Sequence, residues 1–195
     1  MARSMVVAAW CGVAVLELAG CAGSDGGTRA LVTSKAPVTS KAPITGSFEV
    51  RAVSAEASVS DLPAGAKCAQ TPLALSESGW VCDGATSTGY LVEPAALAAP
   101  DVAEVTQGPA GQPGSTNWAV RVTLTVLGAA AFEKLTSEVY VAKPPANKVA
   151  LLVDGKLVSA PSVREPITGG SLAFPVDGGE AEAKAMAAAI VGTSG

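Results

Sequence analysis

The spacing of apolar and polar residues changes several times along the chain, and each change marks an element. Trp118, Val120, Val122, Leu124 and Val126 fall on one face of an alternating run, with Arg121, Thr123 and Thr125 on the other. Period-two alternation rich in β-branched residues predicts a half-buried strand. Gly128 ends that strand, and from Ala129 to Val141 the spacing becomes helical. Phe132, Leu135 and Val139 stand at i, i+3 and i+7, with Glu133, Lys134 and Glu138 on the wet side, until Pro144-Pro145 stop the helix. Val149 to Val153 is then unbroken apolar sequence. Asp154-Gly155 follows, a dipeptide suited to a two-residue hairpin turn whose central positions both need positive φ. Leu157-Val158 returns. The expected register sets Val153 opposite Lys156, Leu152 opposite Leu157 and Leu151 opposite Val158. Pro161 and Pro166 bar continuation as a central strand, and the segment ends at Gly169-Gly170.

Ser171 to Val176 predicts a short strand leading into a last helix. Asp177 and Glu180 suit a capping box, Glu180 and Lys184 an i, i+4 pair, and Gly192 a C-terminal stop. Ala183, Met186, Ala187 and Ile190 form its buried stripe. Upstream, Phe48 to Val53 alternates as a half-buried strand and Thr88 to Val92 reads as another. Pro94 opens a helical or turn segment through Leu97, stopped by Pro100; Asp101 to Thr106 is a strand and Gly108 to Ser115 an exposed loop. This order predicts an α+β fold, with two helices packed on one face of a small, largely antiparallel sheet.

Aromatic residues make up only 4% of the 195-residue chain. The core must therefore be Val, Leu and Ala around a few anchors: Phe48, Trp80, Tyr90, Trp118, Phe132, Tyr140 and Phe174. The net charge is −4 and the basic residues are scattered, so no nucleic-acid partner is expected. The chain has no histidine. That removes the usual zinc ligand, the usual general base and every Ser-His or Cys-His dyad. Ser159 has no such base to activate it, Asp154 beside Gly155 reads as a turn residue, and Gly169-Gly170 read as a loop of unusual backbone angles. The expectation is a non-enzymatic protein with no catalytic residue, no metal and no cofactor.

At the N-terminus, Arg3 precedes a run of mostly apolar residues from Met5 to Val15. It is too short to span a bilayer and fits the apolar region of a signal peptide. Leu18-Ala19-Gly20-Cys21 resembles the lipobox of bacterial lipoproteins. The resemblance implies a signal peptide over 1–20 and lipid, such as palmitate, on Cys21. It places the protein on the extracytoplasmic face of the bacterial cell membrane, held by acyl chains at ~0.8 kcal/mol per buried methylene. The alternatives are an ordinary secretory peptide with a chance cysteine, or an uncleaved N-terminal anchor. Residues 21–46 read as a tether, in which Val32 to Pro37 is repeated as Val38 to Pro43. Cys11 leaves with the signal peptide. Cys68 and Cys82 are then the remaining thiols, and in an oxidising compartment they pair. A loop of that size contributes ~3 kcal/mol in the chain-entropy treatment.

Two stretches carry a family likeness. Val149 through Pro161, then Ile167-Thr168-Gly169-Gly170 and the closing Ala-rich helix, are similar to the head subdomain of the first extracytoplasmic domain of SecD/SecDF. Trp118 to Thr125, Gly128 to Phe132 and Leu135-Thr136 resemble the strand and helix that precede it; Phe48 to Arg51 and Tyr90 to Val92 match more loosely. The resemblance implies a ferredoxin-like, SecD-head-like α+β domain over 117–195, behind a disulfide-stapled extension over 47–116. It also implies a role in handling polypeptide that emerges from the Sec channel, with exported polypeptides or Sec translocon components as partners. SecD also carries transmembrane helices with proton-coupling carboxylates, and no hydrophobic span follows residue 20 here. The expected protein is a lipid-tethered head module that does not itself couple a proton gradient. A cell-envelope structural or ligand-binding lipoprotein that reuses the fold is the alternative reading.

Overall fold

The computed structural model describes residues 44–111 and 117–193. Residues 1–20, which read as a signal peptide, Cys21 and the two repeat copies lie outside the described residues. The strands are β1 (Phe48–Ser58), β2 (Gly79–Asp83), β3 (Thr88–Ala98), β4 (Val102–Pro109), β5 (Trp118–Leu124), β6 (Val149–Val153), β7 (Lys156–Ser159) and β8 (Ser171–Val176). The helices are α1 (Val126–Val139) and α2 (Gly179–Val191). The α+β class stands: among the described residues every pair of these strands is antiparallel and there are two α-helices. The strands divide between two sheets, ordered β2-β3-β1-β6-β7 and β4-β5-β8.

The main core fills the space between the sheets and the helices. Phe48 and Val50 of β1 and Leu151 of β6 meet Val120 and Val122 of β5, Phe174 of β8, Phe132 of α1 and Ile190 of α2. A second, smaller cluster lies on the other side of the five-stranded sheet: Val53, Val81, Val92, Ala150 and Leu152, covered by Leu73 and Tyr90. The five-stranded sheet is therefore buried on both faces. This corrects the reading of β1 as half-buried, because Glu49 and Arg51, on its supposed wet face, are buried as well.

The disulfide joins Cys68 to Cys82 and closes the loop that supplies this second cover. Leu73 comes from that loop, whose backbone is tied down where Ala69 N donates to Trp80 O at 2.7 Å and Ala95 N to Leu75 O at 2.7 Å. The boundary drawn at 116/117 does not separate two bodies. β1 pairs with β6 and β4 with β5, so both sheets take strands from each side of it. The tether reading also ends too late. Thr45 N donates to Val191 O at 3.1 Å, which places Thr45 and Gly46 against the end of α2.

Other local expectations shift for identifiable reasons. β3 runs straight through Pro94 instead of turning helical. Two residues, Glu93 and Pro94, oppose the single Ala52 in the β1 pairing, and β2 has already ended opposite Val92. A bulge without an outer neighbour asks no ladder hydrogen bond of proline. β4 likewise extends through Gly108 and Pro109, which had read as loop; 112–116 lie outside the described residues.

β5 stops at Leu124, since Thr125 caps α1 by accepting from Gly128 N at 3.1 Å. Helix therefore begins three residues before the expected start, and Val126 and Leu127 are left 88% and 79% exposed. At the other end of α1, Tyr140 is exposed and anchors no core. The capping box at α2 is absent: Gly178 is the N-cap and offers no side chain. Gly192 does end α2, in the left-handed region. In the β6–β7 hairpin, Leu151 pairs with Ser159 and not with Val158, because a bulge follows the Leu152–Leu157 pair.

Candidate functional site

The two sheets each present one terminal strand to the same place. β7 ends the five-stranded sheet and β8 ends the three-stranded one. A terminal strand carries backbone N–H and C=O groups with no sheet neighbour on its outer side. Between β7 and β8 lies an open groove of about 660 Å³ whose wall is one stripe of α2. Glu182, Ala185, Met186 and Ala189 form that stripe, at i, i+3, i+4 and i+7. Leu157 and Val158 come from β7, Pro175 and Val176 from β8, and Asp154 and Asp177 from the loops at its ends.

The sequence explains this composition. α2 is so rich in alanine that it buries Ala183 and Ala187 against the sheets and leaves room for a channel beside Ala185 and Ala189. Met186 is half-buried at the floor, where an unbranched thioether adapts to varied shapes. Three carboxylates, Asp154, Asp177 and Glu182, stand on the rim with one ammonium, Lys156. None of the three is in a salt bridge among the described residues.

The residues singled out in sequence separate into several places. Asp154 and Gly155 form the β6–β7 turn with φ of 51° and 70°, and Asp154 borders the groove. Gly155 is also pressed by the disulfide loop: a Cβ there would sit 2.7 Å from Pro72 Cα. Ser159 ends β7, and Pro161 offers its carbonyl to Val149 N at 3.1 Å. Gly169 is exposed. Gly170 is buried at the junction of β5 and α1, where its carbonyl accepts from Leu124 N at 2.8 Å. Thr136 is fully buried, and its hydroxyl accepts from Ile167 N at 3.0 Å, so two pieces of the family motif meet. These residues build the fold and do not converge on one another as a reactive set.

Sequence reading missed the place of Asp177, Glu182 and Pro175 in the groove, and the position of β7 opposite β8 across it. It had placed Met186 in a buried stripe. The groove's walls come from two sheets, and only their relative placement brings the walls together. Among the described residues, two ionisable groups elsewhere are perturbed. Asp83, in the β2–β3 turn, is held below its ordinary value by the Thr86 hydroxyl and the Ala85 N–H. Tyr90 is pushed up, first by burial and then by the charge of Glu56. Among the described residues no group of three or more His, Cys, Asp or Glu is placed to hold a metal ion, and no helix is long and apolar enough to cross a membrane.

Comparison with known proteins gives a consistent result. Residues 77–194 match the SecDF P1 head subdomain. No curated protein matches the sequence. Among solved structures, a crystal structure of SecDF in a super-membrane-facing form is similar over 76% of this chain and 18% of its own, at 19% identity and a TM-score of 0.46. A second, described as a membrane component SecDF that enhances protein export, is similar over 76% of this chain and 63% of its own, at 22% identity and a TM-score of 0.49. This chain thus spans less than two thirds of either. The match to the head subdomain covers more than half of the sequence, and the chain belongs to the SecDF P1 head family.

Proposed function

We propose that this protein is a lipid-anchored, extracytoplasmic binding module that holds extended polypeptide during protein export, beside the Sec machinery. The observation that carries this reading is the groove between β7 and β8. It sets an apolar floor of Leu157, Val158 and Met186 between two sheet edges. An extended chain laid there gains main-chain hydrogen bonds from an edge and side-chain contacts from the floor, with little demand on its sequence. Membership of the SecDF P1 head family supports the link to export. The reading is non-enzymatic, since Ser159 and the rim carboxylates have no histidine anywhere in the chain to work with. Attachment through Cys21 rests on Leu18-Ala19-Gly20-Cys21.

The test is binding of a fluorescently labelled, permanently unfolded polypeptide, followed by anisotropy. Met186→Glu and Val158→Asp should each weaken binding about ten-fold or more, as expected for a charge placed on an apolar contact, with unchanged circular dichroism. Equal binding by both variants contradicts the groove. For the anchor, Cys21→Ser should abolish incorporation of labelled palmitate and release the protein from membranes; retained label would sink the lipoprotein assignment.

A further inference from the structure

We propose that the groove selects extended polypeptide by charge, taking a Lys or Arg side chain at the N-terminal end of α2 and an apolar side chain two residues away. This rests on the groove being a site for extended polypeptide and names the segments it prefers.

The first argument is how charge is distributed along the groove. Asp177 and Gly178 lie at the N-terminal end of α2, and Glu182 sits over Gly178, where a Cβ would be 2.8 Å from Glu182 Cβ. The entering chain marks the other end. Gly46 lies against the Ala189 carbonyl and Asp154 N donates to Ser47 O at 3.2 Å, so Asp154 stands beside the far end of the α2 stripe. Lys156 follows in the same hairpin and offsets Asp154 there. Asp177 and Glu182 form no ion pair among the described residues. Lys184, the one cation of α2, lies about 200° around the helix from Glu182. The helix N-terminus supplies about +0.5 of a charge, so two carboxylates leave this end roughly 1.5 units negative.

The second argument is hydrogen-bonding capacity. Leu124 N donates to Gly170 O at 2.8 Å while Thr123 pairs with Ser171. That phase turns the backbone groups of residues 171, 173 and 175 away from β5, onto the free edge of β8. Residue 175 is proline, so the edge offers the groove a carbonyl there and no N–H. Pro175 O and the carboxylates of Asp177 and Glu182 are all acceptors. The several N–H donors of an ammonium or guanidinium answer them.

The third argument is spacing. Beyond Glu182 the groove turns apolar: Met186 and Ala189 of α2 and Val158 of β7 are half-buried and pack on the main core. Glu182 and Met186 stand one turn apart, about 6 Å along the helix. Side chains two residues apart share one face of an extended chain at roughly 6.7 Å. A basic residue over Glu182 therefore sets its neighbour two positions on over Met186. The methylenes of Lys or Arg lie along the same apolar floor while the charged head stays at the wet rim. An acidic segment meets like charge at that rim and is disfavoured.

The experiment uses the full-length protein, purified in detergent, and three labelled, permanently unfolded polypeptides of equal length and leucine content. They carry Lys, Gln or Glu two residues from each Leu, and binding is followed by anisotropy. The Lys form should bind roughly three- to ten-fold more tightly than the Gln form, the scale of one or two exposed ion pairs, and the Glu form most weakly. The differences should narrow as salt is raised. In Asp177→Asn/Glu182→Gln the Lys and Gln forms should bind alike. Asp177→Asn/Glu182→Lys should put the Glu form first, an order that no loss of folding produces. Glu133→Gln/Glu165→Gln removes the same charge from exposed positions outside the groove and should keep the parent's order. If the parent binds all three alike and Met186→Glu weakens all three, the groove holds polypeptide without charge selection and the proposal is wrong. A Lys preference that survives Asp177→Asn/Glu182→Gln also overturns it. If Met186→Glu leaves all three unchanged, the groove reading itself falls.

Discussion

Arg51 is completely buried, and its Nε donates to Glu49 Oε2 at 2.6 Å, two residues away on the same strand. Its other nitrogens donate to the carbonyls of Glu77 at 2.6 Å, Ala74 at 2.9 Å and Glu93 at 3.1 Å. Ala74 and Glu77 belong to the disulfide-closed region between β1 and β2, so one guanidinium fastens that loop onto the sheet. Removing one partner of a buried pair leaves the other uncompensated, at a cost of about 3–5 kcal/mol. Arg51→Met should therefore lower stability by that amount in urea denaturation. Arg51→Lys should rescue little, since an ammonium lacks the planar fork that reaches three carbonyls and a carboxylate together. Glu49→Leu/Arg51→Met should be less damaged than Arg51→Met alone.

Reducing the Cys68–Cys82 bond should remove about 3 kcal/mol, given its sequence separation of 14. The second hydrophobic cluster, which Leu73 covers, should loosen with it. Limited proteolysis in the presence and absence of reductant checks this: new cuts should fall between Leu62 and Ser78, while β4, β5 and β8 stay protected. An unchanged urea midpoint on reduction would contradict the loop's structural role.

The pattern of the sequence revealed elements that bury one face. β5, β8 and the Phe132, Leu135 and Val139 stripe of α1 are legible because alternation and helical spacing survive in the residues. β1 was misjudged because a salt bridge allowed polar residues to occupy a buried face. Pro94 misled because its bulge depends on β2 ending opposite Val92, a fact of pairing and not of local sequence. Val126 and Leu127 continued the apolar rhythm of β5, but the Thr125 cap turned them out to solvent. The Asp-Gly turn was legible from its chemistry alone. The groove was not, since its walls lie on β7, β8 and α2 and no local signal couples them.

Asp154 and Gly155 should respond to substitution in opposite ways. Gly155→Val places a β-branched residue at a φ of 70° and drives its side chain into Pro72. The expected loss is about 3 kcal/mol or more, visible as a lower thermal midpoint or insoluble protein. Asp154→Asn keeps a residue that tolerates the left-handed region, and its midpoint should stay within about 0.5 kcal/mol of the parent. A destabilised Asp154→Asn protein would mean that its carboxylate does more than form a turn.

Tyr90 offers a pH test. Burial and the charge of Glu56 favour its neutral phenol in the fold, while Lys148, whose ammonium lies 5.3 Å from the ring centroid, opposes them more weakly. Its folded value is raised, so its contribution to stability is present below the unfolded value and is lost as pH rises through the folded one. With Tyr140→Phe, Tyr90 is the last tyrosine in the chain. Its ultraviolet titration should then fall above the ordinary tyrosine range, and Glu56→Gln should move it back down.

The central claim is that the β7–β8 groove holds polypeptide in export. The most direct measurement is photo-cross-linking in living cells from a benzophenone amino acid at Val158, with Arg121, on the exposed face of β5, as the control position. The account predicts adducts with exported precursors or Sec membrane components from position 158, absent from position 121 and lost when export is blocked. Identical adducts from both positions, or none from position 158, would contradict it.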